Sequence, residues 1–192
     1  MKLFGPLYDK MLAWSRHRLA ARYLAAVSFA EASFFPLPTA LLLAPMALAK
    51  RNRAWHFAAL ATVTSVLGGV FGYFIGAFLF EPLGRPIVEF YAAQAQFDAV
   101  QTWFGDYGAW LVLLAGVTPI PYKLVTLASG LLGLPLLWFV AASVAGRAAQ
   151  FYLIAGLLWW GGATVDRALR RWAEPAGWGA VALAAAAYWA WR

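Results

Sequence analysis

The sequence predicts an all-α integral membrane protein with two opposed re-entrant helical hairpins, about three transmembrane helices and an N-terminal amphipathic helix. Three observations lead to this prediction. The 192-residue chain is 64% hydrophobic and only 12% charged, whereas soluble domains carry about 25% charged residues. Its Lys and Arg residues cluster in short segments between apolar runs, as topology-setting charges do. A Pro-x-Pro sequence interrupts two of the apolar runs, and a helix does not continue through such a sequence.

The first two segments fix the predicted orientation. Residues 1–22 mix basic and bulky apolar residues, which suits an amphipathic helix lying on an anionic membrane surface. The apolar run 23–49 then ends at the basic cluster 50–53. If this run spanned the bilayer, the two basic segments would lie on opposite sides, against the positive-inside rule. We therefore predict that 23–49 is a re-entrant hairpin and that the N-terminus is cytoplasmic.

The same charge argument applies to the second half. Run 54–80 has no internal charge or proline and is predicted to cross outward to the acidic segment 81–106. Run 107–135 contains the second proline break. If it enters and leaves on the outer side, run 136–163 crosses inward and the basic loop after it becomes cytoplasmic.

A last short run, 176–191, is predicted as a C-terminal transmembrane helix. No linker-like composition divides the chain, so residues 1–192 are predicted to form a single membrane domain with a core at 23–163.

The proline pairs are Pro36 with Pro38 and Pro119 with Pro121. A break at membrane depth is tolerated only where protein or a wet cavity covers the freed backbone groups. About 12 helical residues on either side of a break span ~18 Å, just past the middle of a ~30 Å hydrocarbon core. The two tips should therefore meet near the centre. Matched broken segments in two halves of a chain indicate a transport site, and aligning the two proline pairs predicts a weak inverted repeat.

Three ionisable residues lie inside apolar runs, namely Glu31, Lys123 and Arg147. Each is costly in lipid and should face a partner or a wet cavity. One interpretation is a structural ion pair that locks the hairpins together. The other is a site whose net charge of about +1 suits an anionic head group or phosphate. Burial favours the protonated form of a carboxyl group, so Glu31 is also a candidate proton carrier.

Four hydroxyl residues flank the breaks and are candidates to add hydrogen bonds to that site: Thr39, Thr118, Tyr122 and Thr126. Alternatively, each hydroxyl satisfies a backbone carbonyl that the break has freed. Gly68, Gly72 and Gly76 repeat a G-x-x-x-G spacing on run 54–80, which predicts a close packing seam against a hairpin rather than a dimer interface.

The sequence argues against several functional classes. It contains no cysteine and two histidines, both near basic segments, and it lacks a Ser–His–Asp set, metal-ligand spacing or a phosphate-cradling loop. We therefore predict that the protein is not an enzyme and uses no cofactor or metal. The net charge of +7 is interpreted as a topology signal and an attraction to anionic lipids, not as a nucleic-acid interface.

The two proline breaks and the ionisable residues near them resemble those of the bacterial DedA family, and more closely those of its YqaA-type branch, which is related to eukaryotic VTT-domain (SNARE-associated) proteins. The similarity covers about residues 23–163 and is carried by Glu31, Phe35-Pro36-Leu37-Pro38, Thr118-Pro119-Ile120-Pro121-Tyr122-Lys123, Gly130 and Gly146-Arg147. The resemblance implies a bacterial inner-membrane location, two opposed re-entrant hairpins, and an embedded acid and base needed for activity. It places the acid at Glu31 and the helix arginine at Arg147.

The resemblance also implies transport of a lipid, such as undecaprenyl phosphate or a phospholipid, between leaflets, with protons as a candidate coupling ion. Two departures bear on the mechanism. Tyr122, followed by Lys123, stands where many members have an arginine, and Thr39 and Ala40 stand where many have an acid. Both proton-coupled and uncoupled mechanisms remain open. The alternatives to a lipid transporter are a proton-coupled transporter of a small ion or solute and a non-transporting membrane scaffold.

Overall fold

A computed structural model describes residues 19–35, 38–118 and 120–162, together with Ser15 and His17. Those residues form helices and turns, without a strand. The helices are α1 (Ala20–Ser33), α2 (Ala40–Ala49), α3 (Ala54–Phe78), α4 (Arg85–Phe90), α5 (Gln94–Tyr107), α6 (Ala109–Val117), α7 (Tyr122–Leu131) and α8 (Leu136–Gly162). A 3₁₀ turn, Arg51–Arg53, precedes α3, and a π turn, Phe80–Gly84, follows it.

Some predicted features lie outside the described residues. These are most of the amphipathic segment 1–22, the C-terminal helix 176–191, Pro36 and Pro119. Within the described ranges, two helices are long and apolar enough to cross a membrane, Arg51–Phe78 and Leu136–Gly162. They correspond to the predicted crossing runs 54–80 and 136–163.

The long helices α3 and α8 are antiparallel. Near one end the rings of Trp55 and Tyr152 are 5.7 Å apart, and near the other end those of Tyr73 and Phe139 are 5.2 Å apart. At 1.5 Å per residue, the 25 residues of α3 extend beyond a ~30 Å hydrocarbon core. The two helices therefore form the axis around which the shorter helices pack.

Helices α1 and α2 form a hairpin beside one end of that axis. Ala20 and Leu24 of α1 share a buried cluster with Leu43 and Met46 of α2 and with Phe57 of α3. The start of α1 and the end of α2 therefore lie together, beside the start of α3. Both helices are too short to span the hydrocarbon core on their own.

Helices α6 and α7 form a second hairpin at the opposite end of the axis. Trp110 of α6 lies beside Trp138, in the first turn of α8. Helix α7 ends at the same place, where the hydroxyl of Tyr73 donates to the carbonyl of Leu134 at 2.6 Å. The two hairpins thus lie at opposite ends of the α3–α8 axis, with their breaks towards each other.

At the first break, the hydrogen bonding shows where one helix stops and the next starts. The amides of Phe34 and Phe35 both donate to the carbonyl of Ala30, at 2.8 and 2.7 Å. Pro38 then supplies a carbonyl that accepts from the amide of Leu41 at 3.1 Å. Because proline has no N–H to donate, the ladder restarts after it rather than continuing through it.

The second break follows the same logic. Thr118 is extended, with φ −90° and ψ 170°, as expected for a residue that precedes proline. Its amide donates to the carbonyl of Leu114 at 2.8 Å, and the carbonyl of Pro121 accepts from the amide of Leu124 at 3.0 Å. The prediction that the helices break at both Pro-x-Pro sequences agrees with these described flanking residues.

The glycines of α3 allow both hairpins to approach it closely. A Cβ at Gly68 would meet the backbone of Phe29 in α1, and a Cβ at Gly76 would meet the backbone of Leu127 in α7. Between them, Gly72 faces Thr126 of α7 and lies near the Ala32 carbonyl of α1. The predicted packing seam is confirmed, and the glycines contact both hairpins rather than one.

The acidic segment 81–106 is largely helical, although no secondary structure was predicted for it from the sequence. Phe97, Val100 and Phe104 are buried at i, i+3 and i+7 of α5, the spacing of an amphipathic helix. They pack in the same cluster as Leu111 and Leu124 of the second hairpin. This segment therefore covers the α6–α7 hairpin and places α4 beside the first break.

Candidate functional site

Both breaks line one cavity of about 460 Å³. Its lining residues are Glu31, Phe35 and Pro38 from the first hairpin, Ala115, Thr118, Ile120, Pro121, Tyr122 and Lys123 from the second, and Arg147 and Gln150 from α8. All three ionisable residues singled out in the sequence are in this set, although they are far apart along the chain. We refer to it below as the central cavity.

Glu31 joins the two helices of the first hairpin. One carboxylate oxygen accepts hydrogen bonds from the Thr39 amide, at 2.8 Å, and from the Thr39 hydroxyl. The other oxygen lies 3.5 Å from Nη2 of Arg147. Its side chain keeps 23% exposure, and it lines the central cavity. Glu31 therefore closes the tip of the hairpin and also contributes a negative charge to the cavity.

Arg147 is held from several directions and is only 2% exposed. Its Nε donates to the Ser65 hydroxyl of α3 at 2.6 Å, and Nη1 donates to Gln150 at 2.9 Å. The guanidinium carbon lies 4.4 Å from the ring centroid of Tyr122 and 5.0 Å from that of Phe151. Nη2 makes no hydrogen bond to any described residue. Nη2 is itself buried, 3.5 Å from the Glu31 carboxylate, so it is an unsatisfied donor at the wall of the cavity.

Lys123 does not pair directly with the acid. Its Nζ lies 3.4 Å from the ring centroid of Tyr91, a cation–π contact. The hydroxyl of Tyr91 in turn donates to the carbonyl of Phe34 at 2.6 Å. Tyr91 follows α4, so the segment between the two hairpins reaches into the site and connects them. The ion pair of Glu31 with Arg147 joins the first hairpin to α8 rather than to the second hairpin. The two hairpins are connected instead through Tyr91, which contacts both Lys123 and Phe34.

The predicted hydroxyl residues fall into two groups. Thr39 bonds Glu31, and the Tyr122 ring lies against Arg147. The hydroxyl of Thr118 donates to the carbonyl of Leu114, and that of Thr126 donates to the carbonyl of Lys123. Thr118 still lines the cavity, whereas Thr126 is buried against α3 and does not line it.

Pro38 and Pro121 line the central cavity. Pro36 and Pro119 lie outside the described residues, so their predicted roles in the site remain predictions.

Three partners in the site were not found from the sequence: Ser65, Gln150 and Tyr91. Gln150 is three residues after Arg147, so it lies on the same helical face and was accessible to sequence reasoning. Ser65 is a small polar residue inside an apolar helix, which is a weaker signal. Nothing in the local pattern around Tyr91 marks it, because its role depends on the path of the segment between hairpins.

The electrostatics of the cavity favour an anion. Two bases and one acid give a net charge of about +1. Helices α2 and α7 begin at the breaks, where helix N-termini carry partial positive charge. Neither N-cap residue caps its helix with its own side chain, and the Glu31 carboxylate accepts from the Thr39 amide at the start of α2. Helices α1 and α6 end there with the opposite polarity, but side chains already donate to their last carbonyls at Phe34 and Leu114.

No metal site is evident in this part of the molecule. The residues that the structure describes contain no group of three or more His, Cys, Asp or Glu able to hold a metal ion. The chemistry available in the cavity is thus charge pairing and hydrogen bonding, from an arginine, a lysine and a carboxylate.

The sequence of this chain matches a known domain family and two curated proteins. Residues 20–159 match the VTT domain. An uncharacterized protein of Haemophilus influenzae is 40% identical over 188 residues, which cover 98% of this chain and 97% of that protein. An uncharacterized protein of Histophilus somni is 37% identical over 188 residues, covering 98% of both chains. No solved structure gives a significant match.

Proposed function

Because the chain belongs to the VTT domain family, as its resemblance to DedA proteins predicted, we propose that it moves an anionic lipid between the two leaflets of a membrane. Family membership by itself supports a membrane protein with a transporter-like role. Members of this family are generally not enzymes. The lipid, its direction of movement and the bacterial inner membrane are parts of the proposal.

One observation carries the proposal: the two breaks meet at a cavity in which Arg147 and Lys123 outnumber Glu31. An anionic head group does not cross hydrocarbon without strong compensation for its lost hydration. Fixed cations and unsatisfied donors midway between the two ends of the α3–α8 axis would supply that compensation. In this proposal the hairpins are re-entrant, and their tips provide the crossing point.

Each charged residue has a role in the proposed path. Arg147 turns Nη2 from the Glu31 carboxylate towards a head-group oxygen, while Nε and Nη1 keep their bonds to Ser65 and Gln150. Lys123 leaves Tyr91 to pair with the same anion. Glu31 limits the net charge to about +1, so that the head group is bound weakly enough to leave. Protonation of Glu31 would raise that charge and tighten binding, which is how a proton gradient would couple to transport.

The test is leaflet exchange of a fluorescent anionic lipid in liposomes that hold purified protein. A membrane-impermeant quencher reports the fraction of probe in the outer leaflet. We expect wild-type protein to accelerate exchange over empty liposomes. Arg147→Lys keeps the charge, but it places every donor on a single nitrogen and loses the planar fork that bonds Ser65 and Gln150 from separate nitrogens. Losing one hydrogen bond to a charged group costs about 1.5–3 kcal/mol, or roughly a 10- to 150-fold loss in rate.

Two alternatives make different predictions. If the protein carries a small ion or solute, an anion flux will occur without lipid exchange. A scaffold, for which the 3.5 Å contact between Glu31 and Arg147 is the supporting observation, will produce neither. Exchange equal to that of empty liposomes, from protein that is monodisperse and folded, would contradict the lipid proposal.

A further inference from the structure

A second cavity adjoins the central one and is almost entirely apolar. It has a volume of about 580 Å³ and lies between the first break, α3 and α4. Its lining residues are Phe34, Phe35, Phe71, Ile75, Leu83, Pro86, Ile87, Phe90 and Tyr91. The hydroxyl of Tyr91 already donates to the carbonyl of Phe34 at 2.6 Å. The surface that remains is therefore suited to hydrocarbon, and we call it the apolar groove.

The apolar groove and the central cavity share a wall. Phe35 lines both spaces. Tyr91 forms part of the groove wall, and its ring supports the Nζ of Lys123, which lines the central cavity. A molecule with an anionic end beside Arg147 and Lys123 would thus have an apolar surface leading away from it past Phe35. The size lies within the range of ordinary ligand pockets, roughly 300–1,000 Å³.

We propose that the apolar groove holds the hydrocarbon chain of a lipid while its anionic head group occupies the central cavity. This inference rests on the proposed function and deepens it, since it assigns a place to each half of the lipid. The wall contributed by α4 gives the segment between the two hairpins a direct part in binding the lipid.

The groove does not act through the hydrophobic effect in the usual sense. Lipid tails are as apolar as the leucine side chains of a helix surface, so a chain that leaves the bilayer for the groove gains little transfer free energy. Its effect is on position: the chain stays beside the protein while the head group is bound. The test should therefore report where the chain lies rather than how tightly it binds.

The experiment uses photoreactive lipids in liposomes with the full-length protein. Phosphatidic acid and phosphatidylcholine carry the same chain with a diazirine near its middle, and labelled peptides are mapped by mass spectrometry. We expect the anionic lipid to label groove residues several-fold more than the neutral lipid does. Leu153 and Leu157, exposed on α8, should be labelled equally by both. Equal labelling of the groove by both lipids would overturn the proposal.

A matched pair of variants tests the assignment to the groove itself. Leu83→Trp places a bulky ring in the groove, whereas Leu153→Trp adds the same ring to an exposed position on α8, outside the groove. We expect the first to reduce groove labelling by phosphatidic acid several-fold and the second to leave it unchanged. Unchanged labelling in Leu83→Trp would contradict the proposal.

Leaflet exchange measured in the same liposomes separates this inference from the proposed function. Anion-selective groove labelling without exchange would support the groove and refute translocation. Exchange without anion-selective groove labelling would support translocation and refute the groove.

Discussion

Replacing Lys123 with Met separates a head-group site from a structural ion pair. Lys123 lines the central cavity, but the carboxylate of Glu31 pairs with Arg147, and the Nζ of Lys123 rests on Tyr91. Met keeps an unbranched side chain of similar length and removes only the charge. If the buried charges only hold the structure together, Lys123→Met should cost stability alone, and protein that still folds should keep its activity.

The expected effect on function exceeds the expected effect on stability. For an anion about 6 Å from Nζ at an effective dielectric constant of about 20, Coulomb's law gives ~3 kcal/mol. That corresponds to roughly a 100-fold weaker interaction with the head group. The cation–π contact with Tyr91 contributes about 0.5–2 kcal/mol to stability, and packing of the thioether against the ring offsets part of it.

The assay is the initial rate of leaflet exchange with the anionic lipid as a minor component, so that the site is not saturated. Lys123→Arg, which keeps the charge, is the matched control and should retain most of the rate. Thermal unfolding in detergent checks that both variants are folded. A folded Lys123→Met protein that exchanges lipid at the wild-type rate would refute the assignment of Lys123 to the path.

Three further predictions concern packing, the connection between hairpins, and topology. Gly76→Ala puts a methyl group into the backbone of α7 and should destabilise the protein by about 1–3 kcal/mol. Gly105→Ala, where a Cβ meets nothing within 4 Å, should stabilise it slightly; thermal unfolding compares the two, and equal shifts would contradict the seam. Tyr91→Phe keeps the ring over the lysine and loses one hydrogen bond of about 1 kcal/mol, so it should perturb exchange less than Tyr91→Leu, which loses both contacts; the reverse order would be inconsistent with the cation–π contact. Because the chain has no cysteine, Arg22→Cys and Asn52→Cys can each be labelled with an impermeant maleimide in oriented vesicles. Both should react from the same side, and reaction from opposite sides would mean that the first hairpin spans the membrane.

Local physics was enough to predict the breaks and the charged residues of the site. Proline chemistry alone indicated where α1 and α6 end, and the cost of an ionisable group in lipid marked Glu31 and Arg147. Each of these predictions depends on one residue and its neighbours in the sequence, so it requires no knowledge of the fold. The same reasoning placed the glycines of α3 at a close helix contact.

The contacts between distant segments were not predictable in this way. Tyr91 meets Lys123 only because α4 and α5 fold over the second hairpin, and that path is set by the packing of buried residues such as Phe97 against distant segments. Thr126 was predicted to belong to the site because it lies close to the second break along the sequence. In the structure one helical turn carries it away from the cavity and against Gly72.

The most direct test of the central claim compares two fluorescent lipids in the same protein-containing liposomes, one with an anionic and one with a zwitterionic head group on identical chains. A cavity with Arg147 and Lys123 around a single acid predicts faster exchange of the anionic lipid, with the preference lost in Lys123→Met. Equal rates for both lipids in wild-type protein, or a preference that survives in Lys123→Met, would contradict the claim that these cations form the path.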